Sequence, residues 1–125
     1  MNTTTSKTIP VVRIKIAAEQ GVRRTSDTRE LIGYRDGLDA TELWNRGREA
    51  WKMRAEKVLA CELLLISHAG VIRMVGTVEG IRKHDGGRLG VEGTPIPNHP
   101  LIGQPDPLNN TSQNPVAYGT VVISE

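Results

Sequence analysis

At 125 residues, 24% of them charged, and with a net charge of only +2, the chain has the length of one domain and is too weakly basic for overall charge to mark it as a nucleic-acid protein. Cys61 is the single cysteine, which excludes an intrachain disulfide and a cysteine-rich metal site. No apolar run approaches the roughly 20 residues of a membrane span, and the N-terminal MNTTTSKTIP has no apolar signal core, so the expected location is the cytoplasm with no membrane partner.

Phe is absent, and Tyr34, Trp44, Trp51 and Tyr118 are the only Tyr and Trp residues, so the core must be built from aliphatic side chains with the tryptophans as its large pieces. Charge is unevenly spread. Residues 1–60 hold twelve Lys and Arg against eight Asp and Glu, whereas residues 61–125 hold four against six. A local basic face suits an anionic partner, and it is equally the composition of a solvated surface.

Residues 1–8 are rich in Thr and Ser and read as a disordered tail, leaving 9–125 as a single domain. From Ile9 the run IPVVRIKIA alternates, with Val12, Ile14 and Ile16 on one side and Arg13 and Lys15 on the other, which predicts a half-buried strand. Pro10 places the start of that strand at an edge or at its first position. Residues 18–40 are punctuated by Gly21, Gly33 and Asp36-Gly37 and read mostly as loop, with 28–32 either a helical turn or a short strand.

Residues 41–59 carry helical spacing: Trp44, Gly47, Trp51, Ala55 and Val58 share one face, and Asn45, Glu49, Lys52 and Glu56 the other. Asp39 or Thr41 is the expected cap. Gly47 costs about 1 kcal/mol in a helix interior, which favours a shorter helix beginning at Arg48 after a turn at Arg46-Gly47. The apolar run Glu62–His68, the turn Ala69-Gly70 and the alternating VIRMVGTVEGI predict a β-hairpin. Asp85-Gly86-Gly87 marks another turn, with a strand starting at Leu89. Residues 94–115 hold six of the seven prolines and form a long connection expected to cross the sheet surface before a last strand, VAYGTVVIS.

The nucleotide-binding P-loop, the zinc-protease His-Glu pair, the esterase nucleophile elbow and the EF-hand loop are all missing from the sequence. His68, His84 and His99 fall at predicted turns without a ligand or carboxylate at catalytic spacing. No catalytic residue, metal site or cofactor is therefore assigned, and the reading leans away from an enzyme. If residues 42–45 are extended, Trp44 stands beside Arg46 where an aromatic and a guanidinium can stack a planar ligand; otherwise it is core. Arg48 and Arg54 border the apolar face, where they snorkel or grip phosphate. Asn110, Gln113 and Asn114 belong to an amide-rich stretch before Pro115. Such amides read base edges or simply build a turn.

The order of a basic Arg46-Gly47 element, a helix (REAWKMRAEKVLA), a buried strand (ELLLIS), GVIRMVGTVEGI, GRLGVEG and NPVAYGTV resembles small PUA-like β-barrel modules, the group that includes the EVE, ASCH and YTH domains. The likeness covers roughly residues 42–122. It implies RNA or modified-DNA binding in a cleft beside the barrel, with Trp44, Arg46, Arg48 and Arg54 on one side and the Asn109–Asn114 loop opposite. The sequence departs from the pattern in having few aromatic residues for a base-reading cage.

The expected fold is α+β: a small, mostly antiparallel curved sheet or PUA-like barrel of five to six strands with one main helix. The leading functional expectation is a non-enzymatic nucleic-acid-binding module, for RNA or DNA including modified bases, that acts with a partner. The alternatives are a protein–protein interaction or assembly protein, homo-oligomers included, pairing through its Pro-rich loop and edge strand, and a small enzyme joining His68, His84 or His99 with Glu79, Asp85 or Glu92.

Overall fold

The computed structural model describes residues 6–21, 31–109 and 114–124. In chain order the elements are β1 (Ser6–Lys15), β2 (Gln20–Gly21), β3 (Leu31–Ile32), α1 (Ala40–Gly47), α2 (Ala55–Leu59), β4 (Leu63–His68), β5 (Val71–Thr77), β6 (Gly80–Lys83), a 3-10 turn (Asp85–Gly87), β7 (Leu89–Glu92) and β8 (Val116–Ser124). The fold is α+β. Its centre is an open, mixed four-stranded sheet in the order β5-β4-β1-β8, joined by the two-stranded ribbons β2-β3 and β6-β7.

The β4-β5 hairpin forms as its sequence predicts. Its two-residue turn places Ala69 at φ 52° and Gly70 at φ 77°, the paired positive dihedrals that match the twist of a tight hairpin. β4 then pairs parallel with β1, from Val11 opposite Leu63 to Lys15 opposite Ser67, and β8 pairs antiparallel along the other side of β1.

Both faces of this sheet are covered. On one face Val12, Ile14, Leu64, Ile66 and Met74 pack against Leu43 and Trp44 of α1 and Val58 of α2. On the other, Val11, Leu65, Ile72 and Val75 pack under Ile96, Leu101 and Leu108 of the Pro-rich connection. Val11, Val12, Ile14, Leu64, Leu65 and Ile66 are fully buried, and burial of each such side chain stabilises the fold by about 1.5–3 kcal/mol. The connection also closes the outer edge of β5. The Ile72 N–H donates to Gln104 O at 2.9 Å, and the Ile96 N–H donates to Val75 O at 2.7 Å. An edge strand sealed in this way offers no row of open backbone groups.

Four expectations are corrected. β1 is not half-buried: Arg13, assigned to its polar side, has zero exposure, because that side faces the Pro-rich connection rather than water. Pro10 lies inside a central strand, one residue before the parallel ladder begins at Val11, so the donor it lacks is not needed there. Ser6, Lys7 and Thr8, placed in the tail, pair with Ser124, Ile123 and Val122.

The fourth correction concerns the helix. Residues 41–59 form two short helices separated by non-helical residues 48–54, so neither a continuous helix nor one beginning at Arg48 occurs. α1 starts where expected, with the Asp39 side chain accepting from the Glu42 N–H at 2.9 Å. It stops because the chain is drawn onto β7. The Trp51 N–H donates to Leu89 O at 2.9 Å, the Leu89 N–H donates back at 2.8 Å, and the Val91 N–H donates to Arg48 O at 2.8 Å. Gly47 is the last residue of α1 and lies against Ile66, where a Cβ would overlap that side chain.

Candidate ligand-binding cleft

Parallel pairing delivers the carboxyl ends of β1 and β4 to the same side of the sheet. There Ile16 and Ala17 after β1, and His68 and Ala69 at the end of β4, face the 49–51 segment across a cleft of about 520 Å³. Ile32 and Gly33 border it, and Lys15, Gln20 and Glu49 bring polar groups to a lining that is otherwise mostly apolar. The size falls in the range of pockets that hold small organic molecules.

Trp51 forms one wall. It is half-buried, its backbone is pinned to Leu89, and its indole N–H donates to Gly47 O at 2.8 Å, which fixes the plane of the ring. His68 is positioned as firmly. Its Nδ1 lies 2.9 Å from the carbonyl oxygen of Ile16. A carbonyl only accepts, so Nδ1 donates in this contact. Tyr34 stacks on the His68 ring at 4.9 Å between centroids, and the Arg73 guanidinium lies 4.8 Å over the other ring, that of Tyr34. Glu49 is held by Arg48 at 3.1 Å and by Arg82 at 2.7 Å, with Nε2 of His84 at 3.8 Å.

A shallower groove of about 430 Å³ lies alongside, walled by Lys52, Met53 and Arg54 on one side, by Gly86 and Gly87, and by Asn114, Val116 and Tyr118. Residues 49–51 line the cleft and residues 52–54 line the groove. Pro115 lines the cleft, while Asn114 and Val116 line the groove.

The residues singled out in the sequence fall in different places. Trp44 is only 4% exposed and packs against Gly76, so its ring is committed to the core. Arg46 is equally buried, with its guanidinium between Glu42 at 2.8 Å and Glu19 at 2.5 Å. The Glu19 hydrogen bond to Arg46, supported by Arg35 and opposed by partial burial, holds the Glu19 carboxyl below the usual carboxylate range. Arg48 faces inward, donating to Asn45 Oδ1 at 2.9 Å and to Val91 O at 3.1 Å. Arg54 is exposed, paired with Glu56 at 2.9 Å, and joins Asn114 in the groove. The Asn114 Oδ1 accepts from the Val116 N–H at 3.0 Å. Asn110 and Gln113 lie outside the described residues.

Sequence reasoning assigned Trp51 to the core, against which it does pack while also lining the cleft, and assigned His68 to a surface turn, whereas it is half-buried and lines the cleft. The available signal for His68 was its place as the one ionisable side chain closing a buried apolar strand, immediately before a tight turn.

Three residues of the enzyme alternative are tied to other partners. Glu79 accepts from Thr94 Oγ1 at 2.8 Å, Glu92 pairs with Arg82 at 2.7 Å, and His99 Nδ1 accepts from the Leu101 N–H at 3.1 Å. Among the described residues no group of three or more His, Cys, Asp or Glu is placed to hold a metal ion, and no helix is long and apolar enough to cross a membrane. No protein family, curated protein or solved structure matches the chain.

Proposed function

We propose that this chain is a non-enzymatic nucleic-acid-binding module that accepts a nucleobase in the cleft between Trp51 and His68. The observation that carries the reading is a largely apolar cleft of about 520 Å³ whose wall is a half-buried tryptophan fixed by its own indole hydrogen bond. A base stacked on an aromatic ring gains about 1–3 kcal/mol. His68 brings an imidazole to the lining, and Gln20 adds an amide that both donates and accepts to a base edge. The PUA-like likeness in element order is part of this proposal and leads to the same class of ligand. Titration of the chain with mixed-sequence RNA and DNA 12-mers at low salt, followed by tryptophan fluorescence, tests it. Saturable quenching is the expected result, with affinity for a fluorophore-labelled 12-mer, read by anisotropy, at least roughly tenfold weaker in Trp51→Ala. The absence of binding by wild type up to about 1 mM would overturn it, since that limit corresponds to only about 4 kcal/mol.

One observation favours a second reading, assembly through β8. This strand ends the sheet order, contains no charged residue from Val116 to Ser124, and leaves Val122 64% exposed. Such an edge lacks the charges and prolines that usually prevent strand addition. Sedimentation across a hundredfold concentration range separates the readings: an assembly protein shows a concentration-dependent dimer that Val122→Lys abolishes, and a monomer throughout rejects it.

A further inference from the structure

We infer that the groove walled by Lys52, Arg54 and Tyr118 carries the backbone phosphates of a strand whose base occupies the neighbouring cleft, so that the ligand is a single-stranded polynucleotide rather than a free base or nucleoside. The inference rests on the nucleobase reading of the cleft and names its ligand class.

The first support is adjacency. The two depressions share their walls on both sides: Trp51 belongs to the cleft and Lys52 to the groove, and Pro115 belongs to the cleft between Asn114 and Val116 of the groove. A strand that runs from the cleft across this shared wall enters the groove directly.

The second support is the chemistry of the walls. Lys52 and Arg54 are exposed on one side, and the Lys57 ammonium lies 5.2 Å from the ring centroid of Tyr118 on another. The carboxylate that engages Arg54 is Glu56, and in that pair both side chains are about two-thirds exposed. An exposed pair of this kind contributes about 0–1 kcal/mol, so it yields to a phosphate that accepts two parallel guanidinium bonds. Facing them, Gly86 and Gly87 adopt φ of 78° and 76°, and a Cβ built on either meets nothing within 4 Å. That wall is bare backbone, open to an approaching strand. Asp85 next to it, together with Glu56, is the local acidic counterweight. The groove has Lys52 and Arg54 on its wall for phosphate, beside apolar Met53 and Val116, while the cleft has an aromatic wall for a ring. A free base needs only the second.

The test uses the full chain, mixed-sequence single-stranded 12-mers of RNA and DNA, and an equimolar mixture of nucleosides, which carry no phosphate. Each released phosphate contact contributes about 0.7 to the slope of log affinity against log salt for single strands. The variant Lys52→Ala/Arg54→Ala/Lys57→Ala should therefore lower that slope by about 2, while Trp51 quenching by the nucleosides stays at the wild-type level. Lys7→Ala, on an exposed residue paired with Glu62, is the charge control and should leave the slope at its wild-type value. An unchanged slope in the triple variant, or nucleosides that bind as tightly as the 12-mers, overturns this inference and leaves the cleft reading standing. Failure of wild type to bind any of these probes removes the cleft reading, and this inference with it. Circular dichroism melts of the triple variant confirm that the fold is retained, because all three residues are exposed.

Discussion

Nε of Arg13 lies 3.1 Å from Oδ2 of Asp106, and neither side chain has any exposed surface. The pair sits off the line of an ideal hydrogen bond at Nε, but the rest of the guanidinium is well used. It donates to Pro115 O at 2.8 Å and to Leu108 O at 2.6 Å, while Ser67 Oγ donates to the same Asp106 oxygen at 2.9 Å. One central-strand arginine thus ties the Pro-rich connection to the sheet. Removing one partner of a buried pair typically costs about 3–5 kcal/mol, whereas replacing both with apolar residues is often neutral. Asp106→Ala should therefore lower the urea midpoint by about 2 M, given about 1–3 kcal/mol per M for a small domain. Arg13→Met/Asp106→Leu should recover most of that loss. A single variant that loses less than about 1 kcal/mol would show that the pair is not needed.

The two tryptophans should separate stability from binding. Trp44 fills the space over Gly76, where a Cβ would run into its ring and would also lie 2.8 Å from Thr94 O. Trp44→Ala should cost about 3–5 kcal/mol, and Gly76→Ala should also destabilise by about 1–3 kcal/mol through overpacking. Trp44→Phe, the milder change, should fold and keep oligonucleotide affinity. Trp51→Ala gives up a half-buried ring and one indole bond, about 1 kcal/mol for the bond, yet should weaken strand binding roughly tenfold or more. Equal losses of binding in Trp44→Phe and Trp51→Ala would remove the assignment of the cleft.

Acid should loosen the contact between the β2 region and α1. In the folded chain Glu19 titrates below its ordinary value, first because of its hydrogen bond to Arg46. A carboxylate depressed by folding adds stability above its unfolded value of about 4.3 and loses it as pH falls through the folded value. Glu19→Gln should be less stable than wild type at pH 7, and the gap should narrow steadily as pH falls below the unfolded carboxylate value. Urea denaturation of both proteins across an acid pH series measures it, and a gap independent of pH would assign the effect to packing.

Local chemistry was legible where local chemistry decides. The β4-β5 hairpin is written in an apolar run, a two-residue turn and a second alternating run, and it forms as written. The Asp39 cap is likewise a short-range signal. The break after Gly47 was not legible, because Trp51 keeps helical spacing with Trp44 and Ala55 and leaves the helix only to pair with Leu89, far along the chain. Arg13 was misread for the same reason: a period of two says which residues share a face, not what covers that face. The candidate site inherits these limits. Trp44 and Arg46, read as neighbours able to hold a planar ligand, turn inward once α1 forms, and the part of this stretch that lines the cleft is 49–51.

The hairpin turn sets up the last prediction, since it touches the cleft. Ala69 is the one non-glycine among the described residues with positive φ, at 52°, and it lines the cleft beside His68. An L-residue with a Cβ is disfavoured in this region, and asparagine tolerates it best because its short amide bonds locally. Asn-Gly is also the preferred pair for this turn. Ala69→Asn should therefore stabilise the chain by about 0.5–1 kcal/mol, raising Tm by about 2–5 °C. Ala69→Val, with a branched Cβ at the same dihedral, should lower Tm. The new amide projects from the rim of the cleft, so the stability gain should be accompanied by a change in nucleotide affinity, read from Trp51 quenching. A higher Tm with unaltered quenching would place the bound ring away from the hairpin end of the cleft, toward Ile32 and Gly33.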